Sequence, residues 1–327
     1  MSPRPKPVRG ARNAARRLYE TNEGVAGLRE DLAALTASVT ELTERLDAVS
    51  SRLDTLDRAE AARAAADRAE HERTVEILQL LRDDEPAQRQ ELWRLRETAE
   101  YARAFEDPEP LVSVCIATYE HTGPLLERTI PSVLAQTYER WELIIVGDAS
   151  SPEHERAIRG VADPRVTFVN LPMRGPYPEP PERWYVAGGP PSNEAHRRAR
   201  GAWICALDDD DTFTPDHIEK LLAGARDRDL ELCYGRVREH HPDGSEELLL
   251  SFPPQYGTIT FQATLMHAHM RWICAELGDG LFNVAGDWSR IRRMLRIGVR
   301  MGMIDDVVAE IWPSRLWREG GGPPPQA

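Results

Sequence analysis

Residues 202–211 read Ala-Trp-Ile-Cys-Ala-Leu-Asp-Asp-Asp-Asp, an apolar run that ends in four carboxylates. The apolar part is typical of a strand buried on both faces of a parallel sheet, and residues 212–215 break the pattern. Open α/β sheets bind their ligands at the carboxyl ends of their strands. Because adjacent carboxylates repel one another, they need water or a cation beside them, and oxygen ligands suit Mg²⁺ or Mn²⁺. The stretch predicts a metal site, with a solvated acidic loop as the alternative.

The composition of the whole chain limits the classes of protein to consider. With 327 residues, 41% of them hydrophobic, the chain can bury a sizeable core. A net charge of -13 argues against nucleic-acid binding through a generally basic surface. No stretch approaches the roughly 20 apolar residues of a membrane span, and the N-terminus lacks a signal-peptide core. We therefore expect a cytoplasmic protein, with at most peripheral contact at the inner face of the membrane.

The cysteines indicate a reducing compartment. They lie far apart, without the spacing of metal ligands, and the first three fall in apolar, strand-like runs. We predict small buried hydrophobic side chains rather than disulfides or a zinc site. The four are Cys115, Cys205, Cys233 and Cys274.

The N-terminal segment is basic. Residues 1–17 contain six Lys or Arg and no acidic residue, together with Pro3, Pro5 and Pro7. We predict a disordered arm over residues 1–24, which serves either as a solubilising leader or as a contact to an anionic membrane surface or RNA.

An apolar seam follows the arm. Its residues are spaced alternately by three and four positions, which is the period of a left-handed coiled coil. A single helix cannot bury so narrow a stripe, so the seam predicts a homo-oligomer through residues 25–56. Leu at most d positions favours a parallel dimer, and mixed Leu and Val at the a positions leaves a trimer open. We expect the helical stalk to span residues 25–105. The seam consists of Val25, Leu28, Leu32, Leu35, Val39, Leu42, Leu46, Val49, Leu53 and Leu56.

A linker separates the stalk from a compact domain. Residues 106–110 contain two prolines, which suits an extended spacer. Strands then alternate with helices, which predicts an α/β fold with a mostly parallel sheet. We assign residues 111–318 to this domain, with residues 171–191 as an active-site loop, and residues 319–327 to a flexible tail.

Four motifs occur in the domain in a fixed order. The first is Val114-Cys-Ile-Ala-Thr-Tyr119, followed by Ser132-Val-Leu-Ala-Gln-Thr-Tyr138; then come Gly147-Asp-Ala-Ser150, Asp208–Asp211 and Gly286-Asp-Trp288. With these motifs the domain resembles the family-2 glycosyltransferases, which are inverting enzymes with a GT-A fold, a Rossmann-like, mostly parallel sheet flanked by helices. The resemblance covers residues 111–313 and leaves the N-terminal stalk outside.

The resemblance implies a role for each motif. Asp208 and Asp210 match the family's metal ligands for Mg²⁺ or Mn²⁺, with Asp209 on the donor ribose. Asp287 matches the base that takes the acceptor proton, although an N-cap of the following helix is the alternative. The implied reaction moves a sugar from a nucleotide-sugar donor to a hydroxyl of a glycan, lipid-linked or other acceptor, in surface polysaccharide synthesis. The further donor-binding residues are Thr118, Tyr119, Glu120, Asp148 and Asn193.

Some positions depart from the family pattern. Gly147 and Ala149 replace the first Asp and the Gly of the nucleotide turn, and Gly286 replaces a Glu. Of an Ala-Arg-Asn motif before the central strand only Asn193 is present.

Other interpretations remain open at this point. A scaffold that has lost turnover would work through its coiled coil, and a nucleotidyltransferase would need a Gly-rich basic loop that residues 117–123 lack. His267 and His269 are either satisfied polar residues or a third metal ligand. A further group consists of aromatic residues that either stack on the sugar or pack against one another, namely Trp184, Tyr185 and Trp288.

Overall fold

The computed structural model describes residues 9–180, 182–282 and 284–313. The chain divides into two units, residues up to Leu78 and residues from Gln79 onward. The predicted tail at 319–327 and the first eight residues of the predicted arm lie outside the described residues. Across the part of the chain that is described, no helix is both long enough and apolar enough to cross a membrane.

Helix α1 begins at Arg9 and ends at Asp83, so the described part of the first unit is helical and the last residues of the helix, 79–83, fall in the second unit. Residues 9–24, predicted to be disordered, lie in this helix, because Ala and Arg dominate residues 11–17 and both favour helices. All ten seam side chains are exposed, from 46% for Val25 to 69% for Leu28 and Leu46.

A mixed, nine-stranded sheet forms the centre of the second unit among the described residues, in the order β3-β2-β1-β4-β8-β6-β9-β5, with β7 paired to β6. Strands β3, β2, β1 and β4 are parallel, and β8 runs antiparallel to both β4 and β6. The strands are β1 Val112–Thr118, β2 Trp141–Gly147, β3 Val166–Asn170, β4 Trp203–Asp208, β5 Thr212–Phe213, β6 Leu232–His240, β7 Glu246–Leu249, β8 Thr264–His267 and β9 Met301–Ile311.

Helices flank this sheet, so the predicted GT-A fold class is confirmed. The helix after β1 contains a π-helical segment, Leu125–Thr129, which ends two residues before Pro131. Short 3₁₀ segments cover Phe261–Ala263, Ala268–Met270 and Leu277–Phe282. The α-helices are α2 Glu85–Arg96, α3 Ala99–Glu106, α4 Thr122–Pro124, α5 Ile130–Leu134, α6 Pro152–Arg159, α7 Arg183–Val186, α8 Gly189–Arg198, α9 His217–Asp227 and α10 Gly286–Ile297.

The core lies on both faces of the sheet. In β1, Val112, Val114 and Ile116 point into one apolar cluster and Cys115 into the other, as the two-residue period of a strand requires. Four cysteines are free thiols, and the first three are buried, as predicted.

The two sides of β4 differ in how far their pairing extends. On one side β1 pairs with β4 from Trp203 to Asp208. On the other side β8 pairs with β4 at Trp203 and Ile204. The 3₁₀ segment Phe261–Ala263, which precedes β8, lies beside the rest of β4 and contributes to the site described below.

Helices α2 and α3 belong to the second unit, whereas the sequence suggested a stalk that continues to residue 105. Leu92 and Tyr101 are buried in this unit, which places both helices against the sheet. The predicted linker is also fixed, because Tyr138 Oη donates to Pro110 O at 2.6 Å and Arg226 Nη1 donates to Pro108 O at 3.0 Å.

A buried carboxylate fastens α2 and α3 to the sheet. Glu231 accepts two hydrogen bonds of 2.7 Å from the Arg96 guanidinium and one of 2.6 Å from the Tyr101 hydroxyl. The backbone N–H of Arg300 donates to the same carboxylate at 2.7 Å. Burial alone would raise the pKa of Glu231, but the hydrogen bonds from Arg96 and Tyr101 outweigh it, and the pKa is lowered.

Candidate active site

Three predicted residues from three neighbouring strands meet at the carboxyl edge of the sheet. The Asp148 N–H, just after β2, donates to Thr118 O at the end of β1 at 3.0 Å. The Thr118 hydroxyl donates to Asp209 Oδ2, just after β4, at 2.6 Å, and the Tyr119 N–H donates to the same oxygen at 3.3 Å. Thr118 therefore connects the two acidic positions that the sequence assigned to the donor.

Asp148 lines the first half of the site. It is buried, and its Oδ1 accepts from the Gly175 N–H at 3.0 Å. Arg174 Nε lies 3.6 Å from the other oxygen, and the Arg174 guanidinium stacks 3.6 Å from the centre of the Tyr119 ring. The carboxylate can accept an N–H, and the ring and the guanidinium beside it have planar faces, which together suit a planar heterocycle.

The sequence did not single out Arg174. The only signal for it was its place in the loop at residues 171–191, which was predicted to line the active site.

Close packing explains one departure from the family pattern. A Cβ at Gly147 would lie 2.7 Å from Asn170 Oδ1, so a side chain there has no room. The Asn170 amide in turn holds Ser150 through two hydrogen bonds of 2.9 Å. Position 147 is therefore set by the turn after β2 and not by a contact that a carboxylate could make.

Two residues that were predicted to bind the nucleotide-sugar donor, Glu120 and Asn193, hold loops in place through hydrogen bonds. Glu120 accepts from the Ser151 N–H at 2.5 Å and from the Ser151 hydroxyl at 2.8 Å, and so ties the ends of β1 and β2 together. The Asn193 amide donates to Ala275 O at 2.8 Å and accepts from the Ala275 N–H at 2.9 Å. Because both ends of its amide are used, Asn193 positions the loop around Ala275.

The acidic run divides between two neighbourhoods. Asp208 and Asp211 share one donor, since Gln262 Nε2 lies 2.5 Å from Asp208 Oδ2 and 2.9 Å from Asp211 Oδ2. The Trp312 N–H also donates to Asp211 Oδ1 at 2.9 Å. Gln262 was not predicted from the sequence, because a Gln in an irregular segment carries no pattern.

Like charges are concentrated here. Asp208 is exposed at the cleft wall yet closely surrounded by protein atoms; this desolvation and the charges of Asp211 and Asp287 raise its pKa well above its usual value. Burial, and then the charge of Asp210, raise the pKa of Asp211 to about 7. Negative charge therefore exceeds positive charge around Asp208 and Asp211, which favours a ligand that brings positive charge.

Asp287 stands opposite Asp208, in the first turn of α10. The Phe261 N–H donates to Asp287 Oδ2 at 3.3 Å. Desolvation raises the pKa of Asp287, and the charge of Arg290, one turn along the helix, opposes that rise. A carboxylate with a raised pKa is a stronger base, and the charge of Asp287 reaches Asp208 in the acidic run.

A second group of ligands lies around Asp209 and Asp210. One potential ligand atom from each of His121, Asp209 and Asp210 falls within 4.8 Å of the others. Burial and the charge of Asp209 raise the pKa of Asp210, while His121 and Arg128 oppose the rise. This donor set fits a divalent cation, and it brings Asp210 together with Asp209, whereas Asp208 contacts Gln262.

The histidine hypothesis is wrong for His267. It pairs with Trp203 at the start of β4, and Asp208 lies five residues further on, or about 16 Å at 3.3 Å per residue. Its Nε2 bonds to Tyr101 O at 3.1 Å, and its Nδ1 accepts from the His269 N–H at 3.2 Å. Both ring nitrogens are therefore used in hydrogen bonds to the backbone.

The aromatic residues occur as two pairs. The Trp184 and Tyr185 ring centres are 5.3 Å apart in an edge-on contact. Trp288 instead packs near Tyr256, with ring centres 6.1 Å apart.

Comparison with known proteins identifies the domain. The family profile described as Glycosyl transferase family 2 matches residues 113–177 and 191–278. The chain is 31% identical over 116 residues to the putative colanic acid biosynthesis glycosyl transferase WcaA of Escherichia coli, covering 35% of this chain and 37% of that protein. It is 32% identical over 120 residues to the succinoglycan biosynthesis protein ExoO of Rhizobium meliloti, covering 36% of this chain and 31% of that protein. The chain thus spans about a third of the length of these curated relatives.

Among solved structures, S. aureus TarS 1-349 in complex with UDP aligns with a TM-score of 0.48 and 14% identity, covering 62% of this chain and 60% of that chain.

The matched residues include the strands β1, β2 and β4 and the carboxylates at their ends, while Asp287 lies beyond them. Through this domain the chain belongs to glycosyl transferase family 2.

Proposed function

We propose that this protein is a metal-dependent, inverting glycosyltransferase that moves a sugar from a nucleotide-sugar donor to a hydroxyl acceptor. The observation that carries the proposal is the meeting of Asp148 and Asp209 at Thr118, where β1, β2 and β4 end. Asp287 on α10 lies close enough to Asp208 for its charge to raise the pKa of Asp208.

The donor nucleotide fits the half of the site around Asp148. Its carboxylate would accept an N–H from the base, beside the stacked Tyr119 ring and Arg174 guanidinium. Asp209, which the Thr118 hydroxyl holds, would accept from the ribose hydroxyls.

The acidic run fits the diphosphate end of the donor. Asp210 is the foremost metal ligand, with Asp208 as the second ligand predicted from the sequence. A bound Mg²⁺ or Mn²⁺ would act as a Lewis acid that neutralises the charge of the departing diphosphate. Gln262 keeps Asp208 oriented by donating to it.

Asp287 would act as the base. As the acceptor oxygen forms its bond to the anomeric carbon, the bond from that carbon to the diphosphate oxygen breaks on the opposite face, which inverts the configuration. The acceptor proton passes to the Asp287 carboxylate. The Phe261 N–H fixes that carboxylate while it works.

The acceptor class follows the relatives. Two of them are named for colanic acid and succinoglycan biosynthesis. We assign this chain to surface polysaccharide or glycan synthesis, with a hydroxyl of a glycan or lipid-linked acceptor as the nucleophile.

The test is a donor-hydrolysis and transfer assay on the full chain, with Mn²⁺ or Mg²⁺ and a panel of nucleotide sugars. We expect turnover with at least one donor and its loss when EDTA removes the metal. Absence of both turnover and nucleotide binding across the panel would instead support a scaffold that works through its coiled coil.

The exposed seam of α1 supports a proposal of self-association through residues 25–56. Ten apolar side chains in a heptad pattern, all exposed in one chain, would be buried in a coiled coil. The double substitution Leu35→Glu and Leu42→Glu should give a monomer in light scattering. Ala37→Glu with Ser51→Glu adds the same charge away from the seam and should leave the oligomer intact. An oligomer that survives the seam substitutions would show that another surface holds it together.

A further inference from the structure

His121 lies at the edge of the proposed metal site, three residues after the end of β1. Its Nδ1 is 3.0 Å from Asp209 Oδ1, and its side chain is 32% exposed. One potential ligand atom each from His121, Asp209 and Asp210 lies within 4.8 Å of the others. The family motif did not draw attention to this residue, since the match at this strand end concerns Thr118 and Tyr119.

Asp209 does not need His121 to hold it in place. Its Oδ2 already accepts from the Thr118 hydroxyl at 2.6 Å and from the Tyr119 N–H at 3.3 Å. These two bonds fix the carboxylate and turn its other oxygen, Oδ1, toward His121. The His121 imidazole is within hydrogen-bond distance of that oxygen, at 3.0 Å.

Asp210 completes the group from the other side. Its backbone is anchored, because Arg128 Nε donates to Asp210 O at 2.7 Å. Asp209 is held by its side chain and Asp210 by its backbone, and together with His121 they offer two carboxylates and one imidazole to a cation. Such a set differs from an all-carboxylate one, since Mg²⁺ prefers oxygen ligands while imidazole binds first-row transition metals.

We propose that His121 is a further ligand of the divalent cation, and that it biases this site toward Mn²⁺ and Co²⁺ over Mg²⁺. The proposal rests on the metal dependence proposed above. It gives His121, which lies between the end of β1 and α4, the role of a nitrogen ligand, which the carboxylates of the acidic run do not supply.

His121→Asn separates ligation from hydrogen bonding. The Asn amide nitrogen can replace Nδ1 as the donor to Asp209, so the variant keeps that contact while the imidazole is lost. His71→Ala, at an exposed position of α1, is the matched control because it removes an imidazole remote in sequence from the site. Asp210→Ala serves as the reference for a lost metal ligand.

Mn²⁺ alone is titrated into the full chain and followed by electron paramagnetic resonance, and Mg²⁺ is measured by competition. We expect His121→Asn to raise the Kd for Mn²⁺ by roughly 10- to 100-fold, with a much smaller change for Mg²⁺. Electron spin echo modulation from ¹⁴N should be present in the Mn²⁺-loaded wild type and the control, and absent in His121→Asn. Equal thermal midpoints of wild type and variant check that the fold is intact.

An unchanged Mn²⁺ Kd in His121→Asn, or ¹⁴N modulation that persists in it, would overturn the proposal. So would equal losses for Mn²⁺ and Mg²⁺, because they would mean that His121 only orients Asp209. These outcomes differ from a failure of the proposed function: if Asp210→Ala also leaves Mn²⁺ binding unchanged, the cation site itself is absent, whatever His121 does.

Discussion

The two ends of β4 differ in the ionisable groups around them. At the end where β4 begins, across strand β8, Glu231 is matched by Arg96, Tyr101 and the N–H of Arg300, and its pKa is lowered despite burial. At the other end, Asp208, the last residue of β4, and Asp211 lie close to other carboxylates, and their pKa values are raised. A buried carboxylate that is paired with cations and donors of the chain stabilises the fold. Carboxylates that lie together without enough positive charge instead indicate a site for a ligand that brings positive charge.

The largest expected effect tests the carboxyl end. Asp210→Ala should lower transfer by about a thousandfold or more, because a lost metal ligand forfeits several kcal/mol of transition-state stabilisation. Its free energy of unfolding should stay within about 1 kcal/mol of wild type, since the cluster also loses repulsion. Initial rates and chemical denaturation measure the two. Asp243→Ala, in an exposed turn, is the control, and wild-type turnover in Asp210→Ala would remove Asp210 from the site.

For Glu231→Ala, at the other end of β4, we expect the reverse, namely a large loss of stability. Removing one partner of a buried ion pair leaves Arg96 uncompensated, and we expect a loss of about 3–5 kcal/mol in the free energy of unfolding. Glu91→Ala also removes a two-point contact, with Arg94, but on the surface, and it should leave stability unchanged. If the two variants unfold at the same denaturant concentration, the matched network does not stabilise the fold.

Among the described residues, Arg290 is a buried cation whose charge lowers the pKa of the proposed base, Asp287. Because its charge lowers the pKa of Asp287, Arg290→Met should raise that pKa further. Asp287 must be ionised to act, so the acid limb of the profile of kcat/KM against pH should move to higher pH. Arg290→Lys, which keeps the charge, should stay near wild type. An unmoved acid limb in Arg290→Met would separate Arg290 from Asp287.

The smallest expected effect concerns His267. Burial lowers its pKa from 6.5 to about 4, so between these values the unfolded chain binds a proton that the folded chain does not. The free energy of unfolding should fall as pH drops through this window, by at most about 1.4 kcal/mol per pH unit from this residue. His267→Gln should flatten the curve, and the difference between the two denaturation series isolates the residue. Parallel curves would show that His267 is protonated in the native state.

The sequence predicts the parallel part of the fold well, for identifiable reasons. The strand β4 is a continuous apolar run with a sharp end, and the residues after β1, β2 and β4 are polar, so strand ends and site residues could be read together. Asp148, Asp209 and Thr118 accordingly meet in the structure.

The remainder could not be derived from local patterns. Gln262 reaches Asp208 from 54 positions away, and Arg174 reaches Tyr119 from a loop without periodicity. Helices α2 and α3 look like a continuing stalk in sequence, because the partners that bury Leu92 and Tyr101 lie in distant strands. Such contacts depend on how the chain folds back, which a run of neighbouring residues does not encode.

The short pairing between β4 and β8 has a consequence for how such enzymes diversify. Main-chain hydrogen bonds fix β4 to β1 along its whole length, but on the β8 side they stop after Ile204. On that side, side chains from Phe261–Ala263 and α10 line the site. These residues can be substituted without breaking main-chain hydrogen bonds between strands. The half of the site that we propose for the nucleotide is therefore tied to the backbone of the sheet, while the side chains of the opposite half, which we propose for the sugar and the acceptor, can vary.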